Sequence, residues 1–363
     1  MHYNAFRTYN GKNQFPEHAS KFCFIIPEYM NKNIAKKGNK LQKERAWKNL
    51  IITEQLRGRR LVTGLMSPMF SVSDKLHRTI FDAGNTETMP GTLVRSEGGK
   101  RSGGNTVSEA YDYSGSTYGF YKKIFERNSI DTRGMKLDST VHYGEDYNNA
   151  FWNGTQMVYG DGDGEIFQRF TKSIDVVGHE LSHGVTQYEA ALEYEGQSGA
   201  LNESFSDVFG SLIKQYTLKQ NVDKADWLIG AGLFTSKVKG IALRSMKEPG
   251  TAYNDPTIGK DPQPGHMRDY FKTSNDNGGV HINSGIPNHA FYLTAMEIGG
   301  YAWERAGLIW YVTLTEKLRE NSDFQKAAGF TVEVAANLYG KGSKEQNAVQ
   351  KAWELVGIKI KKK

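Results

Sequence analysis

The feature that most constrains this chain is a pair of histidines four residues apart, His179 and His183, with Glu180 directly after the first. Side chains at this spacing lie on one face of an α-helix, one turn above the other. The pattern H-E-x-x-H is typical of a helix that holds zinc with two imidazoles and keeps a glutamate as a general base. Alone it is moderately specific, because two histidines and a glutamate also meet by chance on helix surfaces.

A second acidic segment follows at a distance that suits a returning helix. Glu203 lies 203 − 183 = 20 residues after His183, enough for one helix to end, the chain to turn and another to return. Catalytic zinc sites use three protein ligands and leave a fourth position open, whereas structural sites use four protein ligands. We therefore predict His179, His183 and Glu203 as zinc ligands. Glu180 is the predicted base that takes a proton from the attacking water and delivers it to the leaving nitrogen.

Asp207 lies one helical turn beyond Glu203, on the same predicted face. A carboxylate at this position can accept the outer N–H of a ligand histidine, which fixes the tautomer of the ring and raises its basicity. The alternative is an ordinary aspartate on the surface of the helix.

These motifs together resemble the thermolysin family of zinc metallopeptidases. The resemblance covers roughly residues 85–360 and includes GALNESFSD (199–207), NNAFWNGTQMVYGDGDG (148–164), ALRSM (242–246) and DNGGVHINSGIPNHAFYL (276–293). It implies a two-lobed zincin fold of the α+β class, with a strand-rich N-terminal lobe, a helical C-terminal lobe and the zinc site in the cleft between them.

The residue pattern independently predicts α+β. From about Thr79 to Gly164 the chain is strand-like with turns rich in Gly, Asn and Asp, and one helical piece interrupts it around Ser116–Arg127. Beyond Ile174 the pattern is helical. Capping boxes that begin at Ser322 and Ser343 each open an apolar-periodic run. A strand-rich half followed by a helix-rich half is the α+β arrangement.

The first part of the chain differs from the rest. It has helical spacing from about Asn33 to Gln55, and FIIPEYMNK (24–32) resembles the Pro-containing segment in the short leader of protealysin-like family members. In that subgroup the leader is a propeptide removed on maturation. Candidate boundaries are Arg57–Arg60 and Met66–Ser73. The predicted units are a propeptide (1–66), an N-terminal lobe ending in the zinc helix (67–188) and a C-terminal helical lobe (189–363).

Charge divides the chain in the same place. Residues 1–60 carry 13 Lys and Arg against 4 Asp and Glu, a balance of +9, so the remainder of the +6 chain sums to −3. Opposite charge favours docking of the leader on the body. The alternative is a solvated basic arm that binds nucleic acid or nothing. Because no aromatic-basic interleaving accompanies the charge, we expect no nucleic-acid partner.

Composition bounds the location of the protein. No run reaches the 18 or so apolar residues that span a bilayer, so we expect no membrane association. The first residues lack a charged, then apolar, then small-residue layout, so no standard secretory signal is expected. Secretion by another route and a cytoplasmic location both stay open. We expect a monomer.

The resemblance implies further site residues. Tyr194 and His281 match the donors to the oxyanion of the tetrahedral intermediate, and Asp276 matches the acid that pairs with that histidine. Without the resemblance, His281 has no stronger claim than His142 or His289. The positions that match the family's substrate contacts are Asn149, Ala150, Arg244, Phe167, Phe170, Val176 and Leu243. The last four apolar residues match a pocket for a bulky apolar residue just after the cut, and their alternative is plain core.

The chain departs from the family at a double calcium site. Two of the acidic positions stay acidic, Asp175 and Asp226, whereas three others are Lys214, Leu228 and Ala231. Calcium needs six to eight oxygen ligands, and an ammonium among them opposes it. We predict that Lys214 bridges the two acids as a salt bridge and that the double calcium site is lost, while a calcium site elsewhere stays open.

Cys23 is the single cysteine, so no intrachain disulfide can form. One hypothesis is that its thiolate occupies the open zinc position and silences the precursor, since thiolate is a good zinc ligand. The alternative, which the sequence favours, is a small buried hydrophobe.

The predicted function is therefore a zinc-dependent neutral endopeptidase made with an inhibitory leader and acting on protein or peptide substrates. One alternative is a non-catalytic binding module on this scaffold, which loss of Glu180, Tyr194 or His281 would favour. Another is a stable precursor that binds a partner through its basic leader and is rarely processed.

Overall fold

A computed structural model of the chain describes residues 23–63, 73–101 and 103–360, with the backbone alone for residues 57–63. The helices are α1 (Glu28–Lys37), α2 (Lys40–Thr63), α3 (Gly104–Phe125), α4 (Ile174–Tyr188), α5 (Gly196–Leu218), α6 (Asp276–Asn283), α7 (Gly285–Ile298), α8 (Ala306–Val312), α9 (Phe324–Tyr339) and α10 (Lys344–Leu355). The strands are β1 (Cys23–Phe24), β2 (Arg78–Asp82), β3 (Thr92–Ser96), β4 (Leu137–Val141), β5 (Ala150–Trp152), β6 (Met157–Tyr159), β7 (Leu228–Ile229), β8 (Arg244–Ser245), β9 (Asn254–Asp255) and β10 (Gly259–Lys260).

Six strands form one mixed sheet in the order β1-β5-β6-β4-β2-β3. The first strand comes from the leader and pairs antiparallel with β5, Cys23 opposite Trp152 and Phe24 opposite Phe151. The leader therefore adds a strand to an edge of the sheet, which satisfies backbone groups that an edge strand leaves unpaired.

The strand-rich half contains more helix than predicted. Helix α3 begins at Gly104, twelve residues before the predicted Ser116, and ends at Phe125. Its first turns are rich in Ser, Gly and Tyr, which are weak helix formers. Val107, Ala110 and Tyr111 are nevertheless buried against the core, and burial of such a face supplies most of the stability of a helix in a protein.

The second half is helical as predicted, with two exceptions. It also contains two small two-stranded sheets, formed by β7 with β8 and by β9 with β10. The first capping box was placed one residue early, because Asp323 rather than Ser322 is the N-cap of α9 and accepts from the Lys326 N–H at 2.8 Å. Ser343 caps α10 as predicted, accepting from the Gln346 N–H.

The zinc helix α4 packs against α5, the helix predicted to return with the acidic motif. Glycines allow the two backbones to approach closely: a Cβ on Gly210 would lie 2.4 Å from Asp175 O and 3.1 Å from His179 N. A Cβ on Gly178 would lie 2.8 Å from Ile213 Cδ1. Any larger residue at these positions would push α5 away from the histidines, so the small residues set the separation on which the site depends.

The leader docks on the body through charge, as its basic composition predicts. Arg45 on α2 contacts Asp146 at 2.8 Å and donates to Asp163 O at 3.3 Å. Lys48 contacts Glu145 at 3.1 Å. The predicted helix over residues 33–55 is realised as two helices separated at Gly38 and Asn39.

Apolar burial also attaches the leader. Phe24, Ile52 and Leu56 form a buried cluster with body residues. The body residues of that cluster are Ala83, Tyr143, Tyr147, Phe151 and Val158. Further along, Ile25, Ile26, Met30 and Ile34 join the main core of the body. The leader is therefore packed as part of one structure with the catalytic lobes.

The candidate leader boundaries fall at the end of this docked segment. Arg57–Arg60 lies inside helix α2, where a protease would have to unwind the backbone before cutting. The 66/67 boundary lies within residues 64–72, outside the described residues, as does all of the other candidate except its last residue, Ser73. Among the residues that the structure describes, no helix combines the length and apolarity needed to cross a bilayer.

Candidate active site

The two histidines and the glutamate predicted as zinc ligands converge on one point. His179 Nε2 lies 3.0 Å from His183 Nε2 and 3.5 Å from Glu203 Oε2, and His183 Nε2 lies 3.4 Å from Glu203 Oε1. Ligand atoms about 2.0–2.1 Å from a tetrahedral zinc ion are about 3.3 Å apart, so these separations fit one. Glu203 Oε2 is buried and has no hydrogen-bond partner among the described residues. This donor set suits zinc.

The protonation of this group suits metal binding. Burial lowers the pKa of His183 to about 3, so the ring is neutral at neutral pH, as a ligand must be. Burial opposes the charged form of Glu203, yet the neighbouring charge of His281 holds its pKa below the ordinary value. His183 therefore presents a neutral nitrogen and Glu203 presents a carboxylate, without competing protons.

Two residues that hold His183 were not predicted. Asn202 Oδ1 lies 2.8 Å from His183 Nδ1, and Ser206 Oγ lies 3.0 Å from the same nitrogen. These contacts direct the opposite nitrogen, Nε2, towards Glu203. A spacing signal was available. Asn202 and Ser206 are four residues apart on α5, and each directly precedes one of the two acids, Glu203 and Asp207, which are also four apart.

Asp207 supports the other histidine. Its Oδ1 lies 2.8 Å from His179 Nδ1, in the geometry predicted for an aspartate that orients a zinc ligand. Asp207 also accepts hydrogen bonds from Arg244 and, at 2.8 Å, from Asn288 Nδ2. Burial opposes its charge, but Arg244 and His179 lower the pKa of Asp207 far enough to keep it ionised.

Glu180 lies in the same buried region, beside strand β5. Its Oε2 accepts from the backbone N–H of Trp152 at 3.0 Å, while Oε1 has no hydrogen-bond partner among the described residues. Burial, followed by the charge of Glu203, raises the pKa of Glu180 well above its ordinary value. A carboxylate with a raised pKa and one uncommitted oxygen has the proton affinity that a general base needs near neutral pH.

Tyr194 and His281 lie together beside Oε1 of Glu203. Tyr194 Oη is 3.2 Å from His281 Nε2 and donates to Glu203 Oε1. Asp276 accepts from His281 N at 3.0 Å and contacts Nδ1 at 2.6 Å. Although burial favours the neutral ring, Asp276 and Glu203 raise the pKa of His281 to about 9, so it is a charged donor at neutral pH. Burial and Glu203 raise the pKa of Tyr194, which keeps its proton.

An unusual backbone brings Asp276 to His281. The first four residues of α6 have positive φ: Asp276 55°, Asn277 48°, Gly278 79° and Gly279 78°. A run of left-handed residues reverses the chain within one turn and points the Asp276 carboxylate back at the helix that follows. Glycine adopts this conformation without a steric penalty, which accounts for the Gly-Gly pair.

The leader occupies the positions predicted for substrate backbone. Ile25 N donates to Ala150 O at 3.1 Å, and Arg244 Nη1 donates to Ile25 O at 3.3 Å. Asn149 accepts from Ile26 N at 2.9 Å and donates to Ile26 O at 3.3 Å. Every main-chain polar group from Ile25 N to Ile26 O is therefore held by a residue predicted to bind substrate.

The four predicted pocket residues are fully or almost fully buried in the core cluster that contains Ile25. They are Phe167, Phe170, Val176 and Leu243. Phe167 and Phe170 pack with ring centroids 5.8 Å apart. Their contacts fit both pocket lining and core, so the specificity that we drew from them stays a prediction.

At the position that matches the family's double calcium site, Lys214 forms the predicted bridge. Its Nζ lies 3.0 Å from Asp175 Oδ2 and 2.8 Å from Asp226 Oδ2, and it donates to Leu228 O at 3.1 Å. Burial opposes the charged amine, but the two carboxylates raise the pKa of Lys214. Ala231, the third altered position, supplies no side-chain oxygen.

Two family models match this chain. Residues 55–187 match the family described as thermolysin metallopeptidase, catalytic domain, and residues 190–358 match thermolysin metallopeptidase, alpha-helical domain. The chain belongs to the thermolysin family. It is therefore a metallopeptidase, and the family implies a catalytic zinc ion.

Individual relatives match this chain over different shares of their own length. An extracellular metalloprotease of Pectobacterium carotovorum subsp. carotovorum is 50% identical over 345 residues, covering 93% of this chain and 97% of the relative. A thermolysin of Alicyclobacillus acidocaldarius subsp. acidocaldarius is 41% identical over 293 residues, 77% of this chain and 50% of the relative. The match to this thermolysin therefore leaves out part of both chains.

Among solved structures, the precursor of protealysin, a metalloproteinase from Serratia proteamaculans, superposes with a TM-score of 0.84 at 52% identity. The match covers 93% of this chain and 99% of that chain. Since the coverage extends over most of the leader, it supports a thermolysin-family precursor that carries a propeptide, with the two-lobed fold predicted from sequence.

Proposed function

We propose that this chain is the inhibited precursor of a zinc-dependent neutral endopeptidase whose leader blocks the cleft by lying in it as a substrate would. The observation that carries the proposal is the set of main-chain hydrogen bonds from Ile25 and Ile26 to Asn149, Ala150 and Arg244. An extended peptide that adds to a sheet edge gains affinity from such bonds whatever its side chains.

In the proposed reaction each side chain has one task. His179, His183 and Glu203 hold zinc, which would supply Lewis-acid polarisation and lower the pKa of water towards about 7. Glu180 accepts the proton of the attacking water and returns it to the leaving nitrogen. His281 and Tyr194 donate to the oxygen on which negative charge develops, and pre-positioned donors of this kind each contribute a few kcal/mol.

The orientation of these donors rests on residues behind them. Asp276 holds His281 in its charged form and fixes its ring. Asp207 aligns His179, and Arg244 divides its donors between Asp207 and a carbonyl of the bound chain. Arg244 thereby links the bound backbone to Asp207, the residue that orients the proposed zinc ligand His179.

For specificity, we propose a preference for a bulky apolar residue directly after the cut. Ile25 is the residue whose carbonyl Arg244 contacts, and its side chain is fully buried in the cluster with the four predicted pocket residues. Cleavage of a mixed peptide pool followed by mass spectrometry tests this. Enrichment of Leu, Ile, Val and Phe after the cut is expected, and an enrichment of charged residues there contradicts the pocket assignment.

The proposed leader is residues 1–66, followed by lobes 67–188 and 189–363. Intact mass of the purified full-length chain, followed over time with zinc and with a chelator, tests inhibition and removal together. Loss of roughly the first 50–70 residues only in the presence of zinc supports a self-processing precursor. If the mass stays whole in zinc, yet a separate protease trims the leader and peptidase activity then appears, the leader is inhibitory but is not removed by the chain itself.

A non-catalytic module on this scaffold is the rival from another class, and the presence of Glu180, Tyr194 and His281 in one buried cluster opposes it. A stable precursor that binds a partner through its basic leader is the second rival. In the structure Arg45 and Lys48 already contact the body, which leaves those two charges committed within the chain.

We also propose that the double calcium site is replaced by Lys214, that the protein is a monomer, and that it acts outside the cell. The bridge from Lys214 to Asp175 and Asp226 puts a positive charge where calcium would need oxygen ligands. A relative named as an extracellular metalloprotease supports export.

A further inference from the structure

We infer that Cys23 is a fourth zinc ligand in the precursor, and that its thiolate keeps the Phe24–Ile25 peptide bond, which lies in the cleft in the direction and register of a substrate, from being cut. This rests on the proposed function, because it assigns a regulation to the same site. Three observations carry it: the register of the leader, the position of its sulfur and the composition of the chain.

The register identifies the peptide bond that faces the catalytic groups. In the proposed mechanism, His281 donates to the carbonyl before the cut and Arg244 to the carbonyl after it. His281 Nε2 lies 2.9 Å from Phe24 O, and Arg244 Nη1 lies 3.3 Å from Ile25 O. The bond between Phe24 and Ile25 is therefore the one presented for hydrolysis.

The same segment satisfies the proposed preference for an apolar residue after the cut, since Ile25 is fully buried. Its hydrolysis would add one water across the C–N bond, leaving a carboxylate on Phe24 and an amine on Ile25. A leader that met every requirement of a substrate would be a substrate, so inhibition needs a further element.

That element is the side chain of Cys23, the residue directly before Phe24. Side chains alternate along a strand, so Phe24 packs on Phe151 with centroids 5.3 Å apart while Cys23 points to the opposite face. There Cys23 is buried with Tyr194 and Val280. Its Sγ, an imidazole nitrogen of His183 and a carboxylate oxygen of Glu203 all lie within 4.8 Å of one another.

This spread fits a shared metal ion. Zinc–sulfur and zinc–nitrogen distances of about 2.3 and 2.0 Å put sulfur and nitrogen about 3.6 Å apart in a tetrahedral site. For Cys23 and His183, at most about 1.2 Å then has to close, and rotation about one torsion of Cys23 moves the sulfur. Independently, Glu203 Oε2 is fully buried and has no hydrogen-bond partner among the described residues, so the group already presents a carboxylate oxygen in need of a cation.

Coordination by Cys23 would complete four protein ligands, the arrangement of structural rather than catalytic zinc sites. The open position that the reaction requires is then filled by sulfur, and Glu180 has no water there to deprotonate. The leader can accordingly hold the cleft with substrate contacts and still remain whole until a cut elsewhere releases it.

The test compares two full-length precursors loaded with Co²⁺, one carrying Glu180→Gln and the other Glu180→Gln with Cys23→Ser. The first substitution removes the proposed base, so the leader stays attached in both. Because the chain has one cysteine, a thiolate-to-cobalt charge-transfer band can come only from Cys23. We expect that band in the first protein and its loss in the second, at equal cobalt content. Bound cobalt without the band in the first protein overturns the ligation.

A second measurement addresses the uncut bond. In the otherwise unchanged precursor with zinc, Cys23→Ser is expected to produce a chain that begins at Ile25, detected by intact mass, whereas the parent shows no cut there. An intact Phe24–Ile25 bond in a folded, zinc-loaded Cys23→Ser precursor overturns the blocking role. If the serine variant does not fold, Cys23→Ala replaces it, and the cobalt spectrum of the Glu180→Gln precursor still decides the ligation.

Failure of the inference can be told from failure of the proposed function. Peptidase activity of the full chain after its leader has been trimmed tests the function, and Cys23 is absent from that product. An active trimmed enzyme whose cobalt-loaded Glu180→Gln precursor lacks the sulfur band refutes the inference alone.

Discussion

Arg244 donates two parallel hydrogen bonds to Asp207, from Nε to Oδ2 at 2.9 Å and from Nη2 to Oδ1 at 2.8 Å. Both side chains are almost wholly buried. A paired guanidinium and carboxylate of this kind is held in one geometry, and removing either partner leaves a buried charge uncompensated. Since Asp207 also contacts His179, the pair fixes the orientation of a predicted zinc ligand.

Replacement of Asp207 by Asn should therefore weaken zinc binding by about 10- to 100-fold, the usual effect of losing a residue that orients a ligand histidine. The amide carries no charge to stabilise the imidazole or to balance Arg244. Competition with a chromogenic chelator measures the change. Asp269→Asn, which alters an exposed aspartate, is the matched control and should leave affinity unchanged. Equal affinities for the parent and Asp207→Asn would exclude this role.

Glu180→Gln should lower the peptidase activity of the trimmed enzyme by about 100- to 10,000-fold, the contribution typical of a general base. Because Glu180 is not a predicted ligand, zinc content measured by mass spectrometry should stay at that of the parent. Glu193→Gln, at an exposed position, serves as control. Loss of zinc in parallel with activity would instead make Glu180 a determinant of metal binding.

The central part of the site was predictable because its residues are tied by helical spacing. His179 and His183, then Glu203 and Asp207, are four apart, and this spacing fixes a shared face whatever the rest of the fold does. His281 carries no such signal. Its partner Asp276 is placed by four consecutive left-handed residues, a local geometry that the residue pattern did not predict, so only family resemblance could single it out.

The predictions about the fold that were wrong or incomplete also depend on contacts between residues distant in the sequence. Residues Gly104–Gly115 are poor helix formers in isolation, and their helix exists because the core covers Val107, Ala110 and Tyr111. Likewise, the position of Cys23 depends on the leader adding to β5, a long-range pairing that nothing within the leader specifies. The sequence therefore favoured the hydrophobic interpretation of Cys23, and the structure shows it beside His183 and Glu203.

His142 should stabilise the fold in a pH-dependent way. Its Nδ1 lies 2.6 Å from Asp161, and this contact raises the pKa of His142 above its ordinary value of about 6.5. A folded-state pKa above the unfolded one gives stability that is complete below about pH 6.5 and is lost as the pH rises through the folded value. Both groups are partly exposed, so we expect less than about 1 kcal/mol.

Urea unfolding of the parent and of His142→Asn at several pH values between about 5.5 and 8.5 measures the effect. Asparagine suits the site, because residue 142 has φ 52°, a conformation that Asn tolerates better than most residues. The difference in free energy of unfolding should shrink towards high pH. Asp161→Asn removes the cause and should abolish the pH dependence. A difference that grows with pH would reverse the sign of the assignment.

Added calcium should not raise the melting temperature of the protein by binding at Asp175 and Asp226, because the ammonium of Lys214 already bridges these two carboxylates. Lys214→Met should lower the free energy of unfolding by about 3 kcal/mol, since Asp175 is buried and would lose its counter-charge. Lys224→Met, at an exposed position, is the control. A calcium-dependent rise in the parent that disappears in Asp175→Asn would show that the site still binds calcium.

Reversal of charge at Arg45 should speed loss of the leader. Arg45 contacts the Asp146 carboxylate and Asp163 O, so Arg45→Glu replaces an attraction by repulsion at the interface between α2 and the body. A partly exposed pair of this kind is worth up to about 1 kcal/mol, or roughly a fivefold change in the population of the undocked leader.

Lys40→Glu, the control, makes the same change in charge at an exposed position at the start of α2. Intact mass over time at low salt should show faster trimming of Arg45→Glu than of Lys40→Glu, and the gap should narrow at high salt because screening weakens the repulsion. Equal rates for the two variants at low salt would mean that apolar packing, through Phe24, Ile52 and Leu56, alone holds the leader in place.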